Sequence, residues 1–168
     1  MHETADEIEG LQSLLDRSLR GAGEHLRSII TDDKRTPSAE VVCRELAGMS
    51  VLVVATCGAD GRPRTSAVDG HFLHGRWVFT TSGDAVKCRD LRRNPAVSAS
   101  YVDRERFALF THGDAEFLEQ GLPEFDLVDA HLTAHYGTSP SSWGPSIAYI
   151  RIVPRWSVAY AFDLSALD

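Results

Sequence analysis

Apolar residues recur at every third or fourth position through the first fifty residues, which is the pattern of amphipathic helices. One such face is formed by Ile8, Leu11, Leu14, Leu15 and Leu19, and it ends at the break Gly21-Ala22-Gly23. A second short helix is predicted over 25–30. Thr36 followed by Pro37 predicts an N-cap with proline at the first helical position, opening a third helix that runs through Met49.

From Val51 the pattern changes to β-branched runs and alternation, which predicts strands. A Gly/Asp/Pro turn follows the first run, and His74-Gly75 is a candidate two-residue hairpin turn, because glycine readily adopts positive φ. Pro154-Arg155 separates the last two runs. The predicted strands cover residues 51–56, 64–68, 72–73, 76–79, 96–102, 107–118, 147–153 and 156–162.

Two further helices are predicted between the strands. Ala85 to Arg93 follows the N-cap candidates Thr80-Thr81-Ser82, and Pro123 to Tyr136 is stopped by Gly137. The hairpin-linked order of the strands favours an antiparallel barrel or curled sheet with helices outside it, and excludes repeated βαβ units. The predicted fold is therefore mainly β (α+β), with an N-terminal helical extension over 1–48 and a barrel of six to eight strands over 49–168.

Composition indicates one globular domain. Its 168 residues are 43% apolar, enough for a core without a metal or disulfide, and no apolar run approaches the ~18 residues of a membrane span. The first residues are acidic where a signal peptide is basic, so a cytoplasmic location is expected. The three cysteines, Cys43, Cys57 and Cys88, form no CxxC pair, which argues against a zinc ribbon or disulfide framework.

The net charge of −7 is unevenly distributed. Residues 61–93 carry seven basic and three acidic residues, whereas 1–50 and 103–136 are both acidic. A basic stretch inside an acidic chain suggests a site for one defined anion, since nucleic-acid binders are more often basic overall. The alternative is that these are solvated arginines on a helix and a hairpin.

Hydroxyl and cationic side chains of the basic stretch flank a strand-to-helix junction. Arg64-Thr65-Ser66 lies on one strand, Thr80-Thr81-Ser82 ends a second, and Lys87 and Arg89 lie in the early turns of the helix that follows. Hydroxyls, cations and free N–H groups at a helix N-terminus are what a bound phosphate requires. The alternative is that the hydroxyls only cap the helix and the cations face water.

Other candidate chemistry is weaker. His131 and His135 have the spacing of two metal ligands on one helical face, but no third ligand accompanies them, so surface histidines are the favoured interpretation and no metal is expected. Cys88 lies between two cations, yet a small side chain pointing inward is favoured over a reactive thiolate. The chain has no GxSxG elbow, and no catalytic side chain is assigned.

The order GRPRTSAV, a hairpin, WVFTTS and then VKCRDLRRNPAVS resembles the pyridoxamine 5′-phosphate oxidase-like, FMN-binding split β-barrel superfamily. It is most similar to the branch of flavin- and deazaflavin (F420)-dependent oxidoreductases, in which an SxKxRNLxxxP helix follows an FTT strand. The resemblance covers roughly residues 45–162. It implies a split barrel that forms a homodimer with cofactor sites at the subunit interface.

The same resemblance implies roles for individual residues. Arg64, Thr65 and Ser66 match the strand along the cofactor phosphate and ring, and Thr80 and Thr81 match the second phosphate-contacting strand. Lys87 and Arg89 match the basic clamp. A C-terminal aromatic that packs near the flavin of the other subunit would be Trp143 or Trp156.

Two departures from the family pattern affect the choice of cofactor. Asp69 stands where FMN enzymes commonly carry a second basic residue, and Val86 stands where the vitamin-B6 oxidases have arginine. The C-terminal Arg/His substrate signature of those oxidases is also missing, since residues 151–156 offer only two arginines, and pyridoxamine phosphate oxidation is therefore not expected. F420, with one phosphate and an anionic tail that Arg62, Arg92 or Arg93 could meet, is narrowly favoured over FMN.

The expected function is hydride or electron transfer between that cofactor and a small organic substrate, without nucleic-acid or membrane partners. The alternatives are a non-catalytic binding or storage protein for flavin, haem or another tetrapyrrole, and a degenerate site without cofactor.

Overall fold

The computed structural model describes residues 2–30 and 35–167. The helices are α1 (Ala5–Arg20), α2 (Glu24–Ile30), α3 (Ala39–Glu45), α4 (Val86–Arg93) and α5 (Pro123–Tyr136). The strands are β1 (Met49–Cys57), β2 (Pro63–Leu73), β3 (Arg76–Ser82), β4 (Ala96–Asp103), β5 (Phe107–Phe117) and β6 (Ile147–Ala161). None of the helices within this described part is long and apolar enough to cross a membrane.

The six strands close into an antiparallel barrel in the order β1-β2-β3-β6-β5-β4, which confirms the predicted fold class. The pairing of β1 with β4 is the shortest, because only Val53–Ala55 and Ser98–Ser100 are in register. β1 is paired with β2 along its whole length. The hairpin between β2 and β3 turns at His74 and Gly75, which both have positive φ, as predicted.

Six strands replace the predicted eight because two pairs of short runs are continuous. Residues 64–68 and 72–73 both belong to β2, which passes through Gly70, where an added Cβ would lie 2.7 Å from the Leu52 Cβ. Residues 147–153 and 156–162 form the single strand β6, apart from Phe162. The strand continues past Pro154 because the register shifts opposite His112 and Gly113, and a bulge tolerates a residue without N–H.

Gly113 is required where β5 crosses this bulge. A Cβ at that position would lie 2.1 Å from the Val153 carbonyl oxygen, which is backbone and cannot rotate away. We expect Gly113→Ala to lower the free energy of unfolding in urea by about 2 kcal/mol, through overpacking. Gly10→Ala is the matched control: nothing lies within 4 Å of its Cβ, so that variant should gain up to about 1 kcal/mol of helix propensity. Equal stability of the two variants would contradict the argument.

The N-terminal helices pack on the barrel. Thr4 and Glu7 form a capping box at the start of α1, and the Ser18 hydroxyl accepts a hydrogen bond from the Ser157 N–H of β6 at 3.0 Å. The prediction that Thr36 caps the third helix was wrong. Ser38 is its N-cap, since the Ser38 hydroxyl accepts from the Val41 N–H.

A single hydrophobic core joins these helices to the barrel. The buried faces of α1 and α3 belong to the same cluster as the barrel interior, with Trp77 and Phe79 of β3 and Ile150 and Ile152 of β6 among its fully buried members. A second, smaller cluster holds α5 against the outside of the barrel through Phe125, Val128 and Leu132. Cys88 and Leu91 of α4 belong to the main cluster, so this helix is packed on the same core as α1 and α3.

Candidate functional site

A cleft of about 670 Å³ lies between the start of β2 and the N-terminus of α4. It is lined by Thr56, Arg64, Thr65, Ser66, Val86, Lys87 and Arg89. Five of these are residues that the sequence analysis had assigned to cofactor binding. Its volume lies within the range of small-molecule sites, and its walls carry three cations and three hydroxyls.

The junction between β3 and α4 places Lys87 at the cleft. The strand ends at Ser82, a short turn follows, and α4 begins at Val86, so Lys87 lies in its first turn. The half-buried Lys87 ammonium donates to the Thr81 hydroxyl at 3.3 Å. Thr81 therefore supports the lysine beside the cleft, but neither Thr80 nor Thr81 is among the residues that line it.

The alternative interpretation, in which Thr80, Thr81 and Ser82 only cap α4, was wrong. The N-cap of α4 is Ala85, which provides no side-chain cap. The Ser82 hydroxyl instead accepts from the Asp84 N–H within the turn. The N-terminus of α4 consequently lacks a side-chain acceptor of its own, and a helix N-terminus attracts an anion.

Arg64 is held by two carboxylates. Its guanidinium donates to Asp90 at 3.3 Å and lies 3.7 Å from Asp60. Asp90 is on α4 and is only 3% exposed, and it also accepts from the Thr56 hydroxyl at 3.2 Å and from Arg93 at 3.0 Å. Burial acts to raise the pKa of Asp90, but the Arg93 hydrogen bond, the charge of Arg64 and the Thr56 hydroxyl together hold it below its ordinary value.

Three other arginines of the basic stretch donate to acceptors of the protein itself, and Arg62 lies 3.9 Å from the Asp60 carboxylate. Arg92 donates to the Gly83 carbonyl at 2.8 Å and stacks over Phe117, while Arg93 donates to the Cys57 carbonyl as well as to Asp90. Arg89 lines the cleft and donates to the Asp84 carbonyl at 3.0 Å. Arg92 and Arg93 were expected to meet an anionic tail, but in the structure their guanidinium groups bond to the protein itself.

The two tryptophans lie outside the walls of this cleft. Trp143, 49% exposed, follows α5, where its ring packs edge-on against Tyr136 and its N–H donates to Thr138. Trp156 stacks on His112 with the ring centres 4.7 Å apart. His112 lines an adjoining cleft of about 420 Å³ that shares Thr56 with the first one. Trp156 therefore packs against a residue of the adjoining cleft, whereas Trp143 packs against α5.

Comparison with known proteins identifies the family. The family model described as "Pyridoxamine 5'-phosphate oxidase" matches residues 40–157, more than half of the chain. The chain belongs to the pyridoxamine 5′-phosphate oxidase-like family. No curated protein sequence matches the chain significantly.

Solved structures share the barrel at low sequence identity. The conserved hypothetical protein Rv2991 of Mycobacterium tuberculosis is 20% identical, with a TM-score of 0.66 over 82% of this chain and 92% of that one. An F420 reductase is 22% identical, with a TM-score of 0.54 over 68% and 93%. HutZ, the heme storage protein of Vibrio cholerae, is 19% identical, with a TM-score of 0.58 over 83% and 95%. At these identities the similarity shows the fold alone.

The two departures from the family pattern occupy different places. Val86 lines the cleft directly, so the wall that would carry an arginine in the vitamin-B6 oxidases is apolar here. Asp69 lies further along β2, where its carboxylate accepts from the Tyr136 hydroxyl of α5 at 3.4 Å. Asp69 therefore faces α5, whereas Val86 shapes the cleft.

A cluster of histidines outside the cleft was missed by the sequence analysis. His71 of β2, 1% exposed, lies 3.1 Å from both a nitrogen of His131 and the Tyr136 hydroxyl, and its ring centre is 4.9 Å from that of His135. His131 is half-buried against His71, whereas His135 is exposed, so the prediction of surface histidines is confirmed only for His135. Burial, and then the charges of His131 and His135, lower the pKa of His71 to about 4.

Neither metal nor thiol chemistry is supported elsewhere. In residues 2–30 and 35–167, no group of three His, Cys, Asp or Glu side chains has a geometry that could hold a metal ion. Cys88 is fully buried, as predicted, and its thiol donates to the Ser82 carbonyl. Burial raises the pKa of this thiol, so it stays protonated.

Proposed function

We propose that this protein is an oxidoreductase that binds a phosphate-bearing flavin or deazaflavin cofactor and acts on a small organic substrate. The observation that carries the proposal is the cleft at the N-terminus of α4, with Lys87, Arg64 and Arg89 around the Thr65 and Ser66 hydroxyls. Cations and hydroxyls beside an uncapped helix N-terminus form a phosphate site. When bound, such a cofactor supplies hydride transfer, and the chain supplies binding and orientation.

In this proposal Lys87 contributes a point charge to the phosphate, and Arg64 contributes a planar fork of donors. Thr65, Ser66 and Thr81 supply hydroxyls, and Thr80 lies on the same strand as Thr81. The apolar wall at Val86 favours F420, narrowly, over FMN, because the arginine that strengthens phosphate binding in the vitamin-B6 oxidases is missing. Trp143 or Trp156 of a second subunit is the proposed aromatic neighbour of the ring.

A titration of the purified protein, followed by absorption and fluorescence, tests this function. F420, FMN and riboflavin are added separately. Saturable binding of F420 or FMN, with binding of riboflavin at least about tenfold weaker, is expected because riboflavin differs from FMN only by the missing phosphate. Equal affinity for FMN and riboflavin, together with no binding of F420, would refute a phosphate site.

Turnover separates an enzyme from a storage protein. If the protein binds a cofactor but exchanges electrons with no acceptor, it is a binding or storage protein. Because the chain shares its fold with a heme storage protein, haem is the second ligand to titrate. The residues lining the cleft include no His, Met or Cys among those that the structure describes, so this cleft offers no usual axial ligand for haem iron. This observation favours the phosphate cofactor.

We further propose that the functional unit is a homodimer. The outward side chains of β1, β4 and β5 include a row of exposed apolar residues, Met49, Val51, Val53, Val102 and Phe110. Val53 and Phe110 both pair with Ser100, so they lie on the same face of three adjacent strands, with this serine between them. A face with several exposed apolar side chains is typical of a protein interface.

Substitution on this face should separate the subunits. Val51 is 60% exposed, so Val51→Glu is expected to leave the fold intact while burying a charge at the interface. Size-exclusion chromatography with light scattering should then report a monomer. Leu127→Glu is the control, because Leu127 is an exposed apolar residue (47%) on α5, and this variant should stay dimeric. A monomeric wild-type protein would exclude the proposed dimer.

A further inference from the structure

The buried carboxylate of Asp90 is the centre of a network beside the proposed phosphate cleft. It joins Thr56 of β1, Arg64 of β2 and Arg93 of α4, so it links the three elements that surround the cleft. Asp90 does not itself line the cleft, whereas Arg64 and Thr56 do. The Asp90 carboxylate therefore acts through Arg64 and Thr56, which form part of the cleft wall.

Space for the Arg64 side chain is provided by a glycine. A Cβ on Gly58 would lie 2.8 Å from the Arg64 Cζ and 2.6 Å from an Asp60 carboxylate oxygen. The guanidinium thus lies between Asp90 on one side and the Gly58–Asp60 turn on the other. Long arginine side chains lose considerable entropy when they are fixed on a ligand, and a side chain already fixed avoids that loss.

We propose that Asp90 is a positioning residue that fixes the Arg64 guanidinium at the cleft wall so that it binds a cofactor phosphate without being reordered. This inference rests on the proposed function, because it assigns a role in binding the same phosphate. It also explains why an acidic residue lies beside an anion site: the carboxylate orders the cation that the anion requires.

An effect of net charge and an effect of side-chain positioning would change the cofactor affinity of an Asp90 variant in opposite directions. If only net charge mattered, Asp90→Asn would remove a negative charge near the cleft and tighten FMN or F420 binding. If Asp90 positions Arg64, the same substitution frees the guanidinium and weakens binding, by about fivefold. The sign of the change in Kd therefore decides between the two.

A double-mutant cycle tests whether Asp90 acts through Arg64. If Asp90 only stabilised the fold, its substitution would weaken cofactor binding equally with and without Arg64. Asp90→Asn should weaken cofactor binding in the wild-type background but have no further effect in Arg64→Ala. Asp84→Asn is the matched control, since Asp84 is an exposed acid preceding α4 that forms no ion pair with Arg64. It should bind as tightly as wild type or slightly more tightly.

Gly58→Ala is a second variant that tests the same proposal if Asp90→Asn does not fold. The added methyl would overlap the far ends of the Arg64 and Asp60 side chains, so the guanidinium cannot keep its present position, while every charge remains. Weaker binding without loss of thermal stability is expected, and wild-type affinity in this variant would overturn the proposal. Tighter binding by Asp90→Asn would overturn it as well.

The outcomes also separate this inference from the function on which it rests. A wild-type protein that binds neither FMN nor F420 refutes the proposed function itself. A wild-type protein that binds one of them, and loses affinity in Arg64→Ala but not in Asp90→Asn, refutes only the positioning role.

Discussion

Lys87→Glu is expected to weaken binding of the phosphate cofactor about a hundredfold or more. The half-buried ammonium of Lys87 lines the cleft and is supported by the Thr81 hydroxyl. Its replacement removes a charge-assisted contact and puts a carboxylate against the phosphate, and each effect is worth a kcal/mol or more. Fluorescence titration with F420 and FMN measures the Kd of each.

The control for this experiment is Arg62→Glu, which makes the same change in net charge. Arg62 belongs to the same basic stretch, but its side chain is 84% exposed and does not line the cleft. The affinity of this variant for FMN, which lacks the anionic tail of F420, should stay within about threefold of wild type, because charges in water are screened. Equal losses in the two variants would mean that overall charge, rather than the clamp at α4, governs binding.

The stability of the protein is expected to fall steeply between pH 6.5 and pH 4 because of His71. Its pKa is about 4 in the folded protein, whereas an unfolded histidine titrates near its ordinary value of 6.5. The unfolded state therefore binds the proton more readily in this window, and unfolding becomes easier as the pH falls. The difference between the two pKa values corresponds to about 3 kcal/mol.

Urea unfolding at pH 7 and pH 4 tests this expectation when wild type is compared with His71→Gln. The glutamine cannot titrate, so the variant should lose about 3 kcal/mol less than wild type over this interval. His25→Gln is the control, because His25 is exposed on α2 and should leave the pH dependence of wild type unchanged. Parallel loss of stability in wild type and His71→Gln would show that the His71 cluster is not the cause.

Much of the barrel could be predicted from local pattern. The β-branched run that begins at Val51, the His74-Gly75 turn and the amphipathic face of α1 each depend on residues close together in sequence, and each appears where it was expected. The merging of strands at Gly70 and Pro154 could not be predicted. A glycine ends a strand or lies within one according to the neighbour that approaches it, here Leu52 of another strand.

The candidate site could be predicted only in part, because some of its contacts join residues that are far apart in the sequence. Arg64, Thr65, Ser66, Lys87 and Arg89 were found because their types and order are informative, and the structure brings these five to one cleft. Asp90 was overlooked because its importance comes from partners 26 and 34 residues away, Arg64 and Thr56. His71 and His131 are 60 residues apart, so no local pattern could indicate that they touch.

The sequence by itself determined the fold class, the family resemblance and the set of residue types able to hold a phosphate, because hydrophobic period, turn residues and motif order are local properties. Only the tertiary structure decided which cations line the cleft. Closure of the barrel assigned Arg92 and Arg93 to carbonyls and Asp90, left Lys87 beside Thr81, and buried Asp90 behind Arg64. The charge of a side chain follows from its residue type, but its bonding partner depends on how distant segments of the chain pack together.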